Sequence, residues 1–391
     1  MQIAIIGAGI GGLAAAIFIK KLGHTVTVFE AFPSAQPVGA GLLLQPPGQE
    51  VLRRLGVHAD ALANAPAVTR LHSTTKNGRK LLDLNYGDLS GPARHGYGVT
   101  RTDLHGALLA KAADDQVPLE LGTRITALGD DHIVTDSGST GPFDLIIVAT
   151  GAGSDWLDGG RFGRTAPAYP WGCMWTTVPL PSSLSPDTLH QRCDAARKMV
   201  GLLPTQKTAN GHNAALYWSV CNANAADWQN APYDTFLDEV GDIWPEARDA
   251  AAAVPKESFV HAVYRDIWCK RPVSGNTVLI GDAAHGTSPQ LGQGASMALL
   301  DAYELARQLE RCDRTATALS AFVTARRSQL RYVRLASRFL TPLFQSRSST
   351  LALMRDIFCG PVTSVPGGYG LALRTLASDV FKPAIMRQEH H

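Results

Sequence analysis

The hydrophobic pattern at the start of the chain predicts a strand, a helix and a second strand in close succession. Residues Gln2–Ile6 form a short apolar run of the kind found in buried parallel strands. The alanine-rich stretch 13–22 predicts a helix, and the next apolar run, Thr25–Phe29, ends at Glu30. Two later apolar runs predict further buried strands, at 144–151 and 277–280. This order indicates an α/β unit built on a parallel sheet.

The middle of the chain follows a different pattern, because short strand-like runs are separated by proline and asparagine clusters. A hairpin is predicted around Asn77-Gly78, a strong turn pair, and further strand-like runs lie at 174–178, 198–203, 214–220 and 258–263. They predict a mainly antiparallel sheet that interrupts the first unit. We therefore expect a first, discontinuous unit at 1–68, 101–168 and 272–346, a second unit at 69–100 and 169–271, and a C-terminal helical segment with a tail at 347–391.

A glycine motif joins the first strand to the first helix. Its glycines are Gly7, Gly9 and Gly12, and Glu30 follows about 20 residues later, as in dinucleotide-binding units. Gly9 lets the backbone approach a pyrophosphate, Gly12 lets helix and strand pack closely, and the helix N-terminus attracts the phosphates. Glu30 can accept hydrogen bonds from a ribose and would repel a 2′-phosphate. The motif thus predicts a Rossmann-like unit that binds the adenosine of FAD or NAD.

Composition and charge narrow the class of protein further. Apolar residues make up 45% of the chain and charged residues 18%, which indicates a globular protein. Lys and Arg number 36 against 34 Asp and Glu, and a net charge of +2 favours neither a nucleic-acid nor a membrane partner. The six cysteines include no Cys-x-x-Cys pair, so we expect neither a disulfide framework nor a metal site. The apolar N-terminal segment carries several glycines and no preceding basic residue, so we expect a cytoplasmic protein.

A second glycine motif lies near three-quarters of the chain length. The predicted strand 277–280 runs into Gly281-Asp282-Ala283-Ala284-His285, and Pro289-Gln290-Leu291-Gly292-Gln293-Gly294 precedes a predicted helix. This segment resembles the second flavin fingerprint of the single-component (group A) flavoprotein monooxygenases, whose best-known fold is that of p-hydroxybenzoate hydroxylase. The resemblance covers nearly the whole chain and includes the first glycine motif, Glu30, the segment Gly39-Ala40-Gly41 and Arg101.

The resemblance implies a role for each of these residues. Asp282 is similar to the aspartate that binds a ribityl hydroxyl of FAD, and Arg101 is similar to an arginine near the FAD phosphates and ribityl chain. The backbone from Gly292 to Gly294 would face the flavin pyrimidine ring, where a side chain would collide with it. The following helix N-terminus would stabilise negative charge on reduced flavin. We expect His285 to have a hydrogen-bonded structural role.

The activity that the resemblance implies is hydroxylation of a small aromatic substrate. NADH or NADPH would reduce FAD, and O₂ would add to give a flavin C4a-hydroperoxide that transfers one oxygen atom to the ring. The predicted fold class is α/β, with a Rossmann-like FAD-binding domain of the GR2 type, an antiparallel substrate domain and C-terminal helices. Within the substrate domain, Tyr217 is the candidate for a polar contact with substrate. Pro289 of the fingerprint joins Tyr217 as a candidate residue of the catalytic site.

Two departures from the family pattern keep other functions open. The segment Gly151-Ala152-Gly153-Ser154-Asp155 lacks the aspartate of the usual Gly-Ala-Asp-Gly motif, and Gln45-Pro46-Pro47 replaces a Pro-Asn pair. The first departure favours a flavin oxidase, dehydrogenase or reductase of the same fold. A flavoprotein that acts on a partner protein is supported only by the stripe Arg327, Arg331, Arg334 and Arg338. Asp282 and the glycines after it argue against a plain NAD dehydrogenase, and a homodimer stays open.

Overall fold

The computed structural model describes residues 1–35, 41–90 and 94–387. The strands are β1 (Gln2–Ile6), β2 (Thr25–Phe29), β3 (Gly41–Leu44), β4 (Ala67–Val68), β5 (Arg70–Thr75), β6 (Lys80–Asn85), β7 (Gly96–Thr100), β8 (Leu119–Glu120), β9 (Ile125–Leu128), β10 (Ile133–Thr135), β11 (Gly138–Thr140), β12 (Leu145–Val148), β13 (Arg164–Thr165), β14 (Ala168–Pro179), β15 (Thr188–Asp194), β16 (Lys198–Thr208), β17 (Gly211–Cys221), β18 (Val260–Arg265), β19 (Trp268–Cys269), β20 (Val273–Ser274) and β21 (Thr277–Leu279).

The helices divide between the N-terminal unit, the middle of the chain and a long C-terminal run. They are α1 (Ile10–Lys21), α2 (Pro46–Leu55), α3 (His58–Ala61), α4 (Arg101–Asp114), α5 (Ala225–Asn230), α6 (Tyr233–Ile243), α7 (Pro245–Ala252), α8 (Asp282–His285), α9 (Gly294–Arg311), α10 (Thr315–Phe344), α11 (Ser349–Val362) and α12 (Pro366–Leu376). No helix of the described ranges is both long enough and apolar enough to cross a bilayer.

A six-stranded sheet organises the first unit, in the order β20-β21-β12-β1-β2-β8. All neighbouring strands in it are parallel except β20 with β21. The central strands are buried on both sides, which explains their continuous apolar sequence. Helices α1, α4 and α9 cover one side, and their side chains form the largest apolar core of the described chain. The predicted α/β class is confirmed here.

A seven-stranded sheet forms the second layer, in the order β18-β14-β17-β16-β15-β5-β6. Its pairs are antiparallel except β15 with β5, which lie parallel. The predicted hairpin around Asn77-Gly78 is present as β5 and β6. On β17, alternate residues such as Leu216 and Trp218 pack against α6 and α7, which the sequence analysis did not predict. The opposite face of the sheet carries Tyr217.

One predicted strand boundary is wrong, and the difference matters for the site. The expected strand 258–263 starts only at Val260, because Pro255 leads into a tight 3₁₀ turn at Lys256–Ser258. The strand then continues to Arg265. This shift adds Tyr264 to β18, on the same face as Ala262.

Candidate active site

The first glycine motif has the geometry that a bound pyrophosphate requires. Gly12 lies so close to the preceding turn that a Cβ there would be 1.9 Å from the carbonyl oxygen of Gly7, so only glycine fits. The space beside Gly9 is open, because a Cβ would meet no atom within 4 Å. On α4, His105 Nε2 lies 2.7 Å from the carbonyl oxygen of Ala8, and this contact holds the glycine loop against α4. His105 was not predicted from the sequence, since nothing local links it to the motif.

Glu30 lies beside this loop at the end of β2. One carboxylate oxygen accepts a hydrogen bond from the backbone N–H of Ala8 at 2.8 Å, and the other accepts one from Phe32 at 3.0 Å. A carboxylate has about four acceptor positions, so two remain for ribose hydroxyls. The Gly39-Ala40 part of the neighbouring predicted segment lies outside the described residues.

The second glycine motif is anchored by a buried carboxylate that the sequence analysis also missed. Asp301 on α9 accepts hydrogen bonds from the backbone N–H of Gly281 at 2.8 Å, from His285 Nε2 at 2.5 Å and from Arg326 Nε at 2.7 Å. Burial by itself raises the pKa of the Asp301 carboxyl, but the nearby charges of His285 and Arg326 outweigh it and lower the pKa to about 2. His285 therefore has the hydrogen-bonded structural role that was expected.

Asp282 itself is free to bind a ligand. Its side chain is exposed, and no hydrogen bond or ion pair within the described ranges holds it. Its Oδ1 lies 3.8 Å from the place that a Cβ on Gly294 would take, so it is close to the start of α9. The turn before that helix brings Gly292 into the left-handed region, at φ +59°. Pro289 opens this turn and is exposed.

Arg101 is a half-buried cation, and its Nε atom is buried without a hydrogen-bond partner among the described residues. It is the first residue of α4, because the side chain of Thr100 caps that helix by accepting the N–H of Asp103 at 2.9 Å. Burial lowers the pKa of the Arg101 guanidinium, whereas the charge of Asp282 acts to raise it. A buried guanidinium normally has an anionic partner. The phosphates of a dinucleotide are anions of that kind.

Arg101 also connects the first unit to the large antiparallel sheet. Its guanidinium carbon lies 5.3 Å from the centre of the Trp175 ring on β14, and Trp175 is paired directly with Tyr217 on β17. Tyr264 of β18 points to the same side, where it forms a side-chain hydrogen bond with Cys173. The indole N–H of Trp175 has no partner among the described residues. One face of the sheet thus presents Cys173, Trp175, Tyr217 and Tyr264 to the glycine motifs.

The two tyrosines of this face are protonated at neutral pH. Burial raises the pKa of Tyr217 and that of Tyr264 above their usual range. The hydroxyl oxygen of Tyr217 accepts a hydrogen bond from Gln191 Nε2. Its own proton is therefore available for an acceptor oxygen or nitrogen of a ligand.

The two departures from the family pattern have structural explanations. Pro46 and Pro47 start α2, a position that suits proline, and Gln45 is buried with its Oε1 accepting from Tyr86 at 2.6 Å. In the segment 151–155, Asp155 is exposed and pairs with Arg265 at 3.3 Å. Instead the buried Arg164 holds this segment by donating to the carbonyl oxygens of Ala152 and Ser154, each at 3.1 Å.

Arg164 also reaches the second glycine motif, since its Nε donates to the carbonyl oxygen of Ala283 at 3.0 Å. The sequence analysis missed this residue as well. The arginine stripe on α10 is partly occupied by internal contacts. Arg334 and Arg338 both pair with Asp266, and Arg334 lies 4.4 Å from the Trp268 ring. All six cysteines are free thiols.

Known proteins resemble this chain over most of its length. The FAD binding domain family matches residues 1–328. The FAD-dependent urate hydroxylase of Klebsiella pneumoniae is 26% identical over 358 residues, which cover 86% of this chain and 89% of that protein. The 6-hydroxynicotinate 3-monooxygenase of Pseudomonas fluorescens is 29% identical over 335 residues, which cover 79% of this chain and 82% of the relative.

Solved structures share the fold. Klebsiella pneumoniae HpxO, complexed with FAD and uric acid, superposes with a TM-score of 0.80 at 23% identity and covers 96% of this chain and 97% of its own. The tetrameric form of 2-methyl-3-hydroxypyridine-5-carboxylic acid oxygenase superposes with a TM-score of 0.78 at 22% identity and covers 91% of this chain and 95% of its own.

Proposed function

Because this chain belongs to the FAD binding domain family, we propose that it is an FAD-dependent monooxygenase that hydroxylates a small aromatic or heteroaromatic ring. Relatives that match most of its length are named as hydroxylases and monooxygenases of urate and of 6-hydroxynicotinate. The reductant is NADH or NADPH, and the oxidant is O₂.

The residues of the site fit FAD. The open space beside Gly9, the close approach at Gly12 and the buried, unpartnered Nε of Arg101 suit a pyrophosphate. Glu30 would hold the ribose, and the unpartnered carboxylate of Asp282 would hold the ribityl chain. The backbone from Gly292 to Gly294 would line the pyrimidine end. When bound, FAD supplies the chemistry of reduction and oxygen transfer, which protein side chains do not perform.

The chain's own contribution is to bind and orient the substrate ring and to exclude water. Leu203 and Ala215 are buried in one apolar cluster, and the Tyr217 ring packs against it. A substrate ring bound there would therefore meet an apolar wall. The Tyr217 hydroxyl would donate a hydrogen bond to an oxygen or nitrogen of the substrate. Tyr264 is a second hydroxyl on the same face. Pro289, which is exposed, stays a candidate.

One observation carries the proposal: Arg101 lies on the Trp175 ring and within electrostatic range of both Asp282 and Tyr264. Asp282, which would hold the ribityl chain, and Arg101, which would lie near the phosphates, therefore meet at the aromatic face of the sheet. FAD held by these two residues would present its flavin ring to that face. The first unit would be the FAD-binding domain, at 1–68, 101–168 and 272–346, and the second unit, at 69–100 and 169–271, the substrate domain.

The test is a screen of phenols, aromatic acids and nitrogen heterocycles for stimulated oxidation of NADH and NADPH by the FAD-loaded protein, with labelled O₂ and product mass measured. We expect at least one ring compound to speed reductant oxidation and to gain one labelled oxygen atom. Turnover of a ring compound without incorporated label would contradict the proposal and would favour the second candidate, a flavin oxidase, dehydrogenase or reductase. The segment 151–154, which lacks an acid and is held by Arg164, is the feature that favours that candidate.

The remaining expectations also stand as proposals. An accessory role on a partner protein loses support, because Arg334 and Arg338 are engaged with Asp266 inside the chain. For this chain a homodimer stays open, whereas a related solved structure is described as tetrameric. The free cysteines support a cytoplasmic location.

A further inference from the structure

The C-terminal helix α12 lies well beyond residue 328, where the family match ends. It contains Gly367, Gly368 and Gly370, so its intrinsic helix propensity is low and its position depends on packing. Its inner side is strongly buried: Leu373 is 2% exposed and Leu376 is 7% exposed. The outer side is open, with Leu371 55% exposed.

The inner side of α12 packs into the apolar cluster that contains the candidate substrate wall. Leu373 and Leu376 share this cluster with Leu43 and Leu203, and Tyr217 packs against it. Leu43 in turn lies beside the turn at Gly292, since its Cβ is 3.7 Å from the position that a Cβ on Gly292 would take. The helix therefore meets the substrate sheet and the second glycine motif in one place.

Polar contacts fix the end of the helix at the same place. Gln293 Nε2, between the two glycines of the motif, donates a hydrogen bond to the carbonyl oxygen of Thr375. The Thr375 hydroxyl also bonds to Tyr332 of α10. Just beyond the helix, Asp379 pairs with Arg94 at 3.1 Å. Movement of α12 would disturb the motif that we assign to the pyrimidine end of FAD.

We propose that α12 forms one wall of the substrate chamber and that Leu376 and Leu373 set the size of the ring that the chamber accepts. The inference rests on the proposed function, since it assigns the specificity of the same site. It predicts that a segment outside the family match selects among ring substrates of different size. Leu376 would act by contact with the ring, and Gln293 would keep the helix in register with the cofactor.

The experiment compares two phenols of different size, phenol and 2-naphthol, as ligands of the FAD-loaded protein. Dissociation constants are measured from the change in flavin absorbance, so no turnover is needed. For Leu376→Ala we expect the ratio of the 2-naphthol constant to the phenol constant to fall at least about fivefold, because the cavity left behind admits the larger ring. For Leu376→Phe we expect the ratio to rise at least about fivefold.

Leu371→Ala, on the exposed side of the same helix, is the matched control and should change the ratio less than about twofold. Leu373→Val removes a single methylene and is the variant to use if Leu376→Ala does not retain FAD; its ratio should also fall. Equal ratios in the wild type and in all FAD-loaded variants would contradict the proposal that α12 lines the substrate chamber. If the ratios shift but labelled oxygen never enters a product, the role of α12 in the substrate chamber is supported and the proposed monooxygenase activity is contradicted.

Discussion

The carboxylate of Asp301 lies 2.8 Å from the backbone nitrogen of Gly281 and accepts its hydrogen bond. This contact fixes the turn that presents Asp282, and the same carboxylate holds Arg326 and His285. Asp301 is therefore a positioning residue: it does not face the candidate ligand site, but the orientation of Asp282 depends on it.

Asp301→Asn should lower the free energy of unfolding by about 3–5 kcal/mol, since it leaves the buried guanidinium of Arg326 without its counter-charge. Urea denaturation of the FAD-free protein measures this loss. The matched control is Asp83→Asn, which breaks the half-exposed pair with Arg70 and should cost less than about 1 kcal/mol. Equal losses in the two variants would contradict a structural role for the Asp301 network.

The stability that Asp301 contributes should depend on pH. Its pKa is about 2 in the folded protein and 3.8 in an ordinary carboxyl, so the unfolded chain takes up the proton first as pH falls. The contribution is fully present above about pH 4 and is lost as pH falls through about 2. Urea unfolding between about pH 6 and about pH 3 should therefore show wild type converging on Asp301→Asn. Parallel profiles over that range would argue against the lowered pKa.

Asp282→Ala should weaken FAD binding while the chain stays folded. The side chain makes no hydrogen bond or ion pair in the described parts of the chain, so its removal breaks no bond of that kind in the fold. A hydrogen bond to a charged group contributes about 1.5–3 kcal/mol, so the dissociation constant of FAD should rise at least about tenfold. Fluorescence titration of the FAD-free protein measures it. Asp155→Ala, which breaks the surface pair with Arg265, is the control, and full FAD occupancy in Asp282→Ala would count against the ribityl assignment.

Glu30→Ala should also loosen FAD, by about 1–3 kcal/mol, because a charged acceptor for the ribose is lost. Glu30→Gln keeps the size of the side chain but not its charge, and we expect an intermediate dissociation constant. The same fluorescence titration applies. If all three proteins bind FAD equally well, Glu30 serves only the loop bonds to Ala8 and Phe32.

Tyr217→Phe should weaken ring ligands about tenfold without altering FAD content, because it keeps the ring and removes the hydroxyl, which would donate to the ligand and accepts from Gln191. Flavin absorbance changes report the ligand constants. Tyr233→Phe is the matched control, since its hydroxyl donates to the Ala251 carbonyl at 2.7 Å on the helical side of the sheet. An unchanged ligand constant in Tyr217→Phe would remove this tyrosine from the substrate contacts.

Local residue patterns were enough to predict the strands and turns of the first unit. The strands Gln2–Ile6 and Thr25–Phe29 agree with the structure, because their signals lie within a few neighbouring residues. The hairpin around Asn77-Gly78 was predictable for the same reason. The two glycine motifs likewise indicated a flavin site, since a close backbone approach requires glycine wherever the rest of the chain lies.

Which side chains complete the site depends on how distant segments fold together. Asp301, Arg164 and His105 act through atoms far away along the chain, and no local pattern separates them from ordinary polar residues. Tyr264 joined the aromatic face only because the strand continues to Arg265. The place of α12 depends on packing and on Gln293, since its glycine-rich sequence carries little helix preference of its own. Contacts of this kind follow from the folded arrangement of distant segments, which residue spacing does not encode.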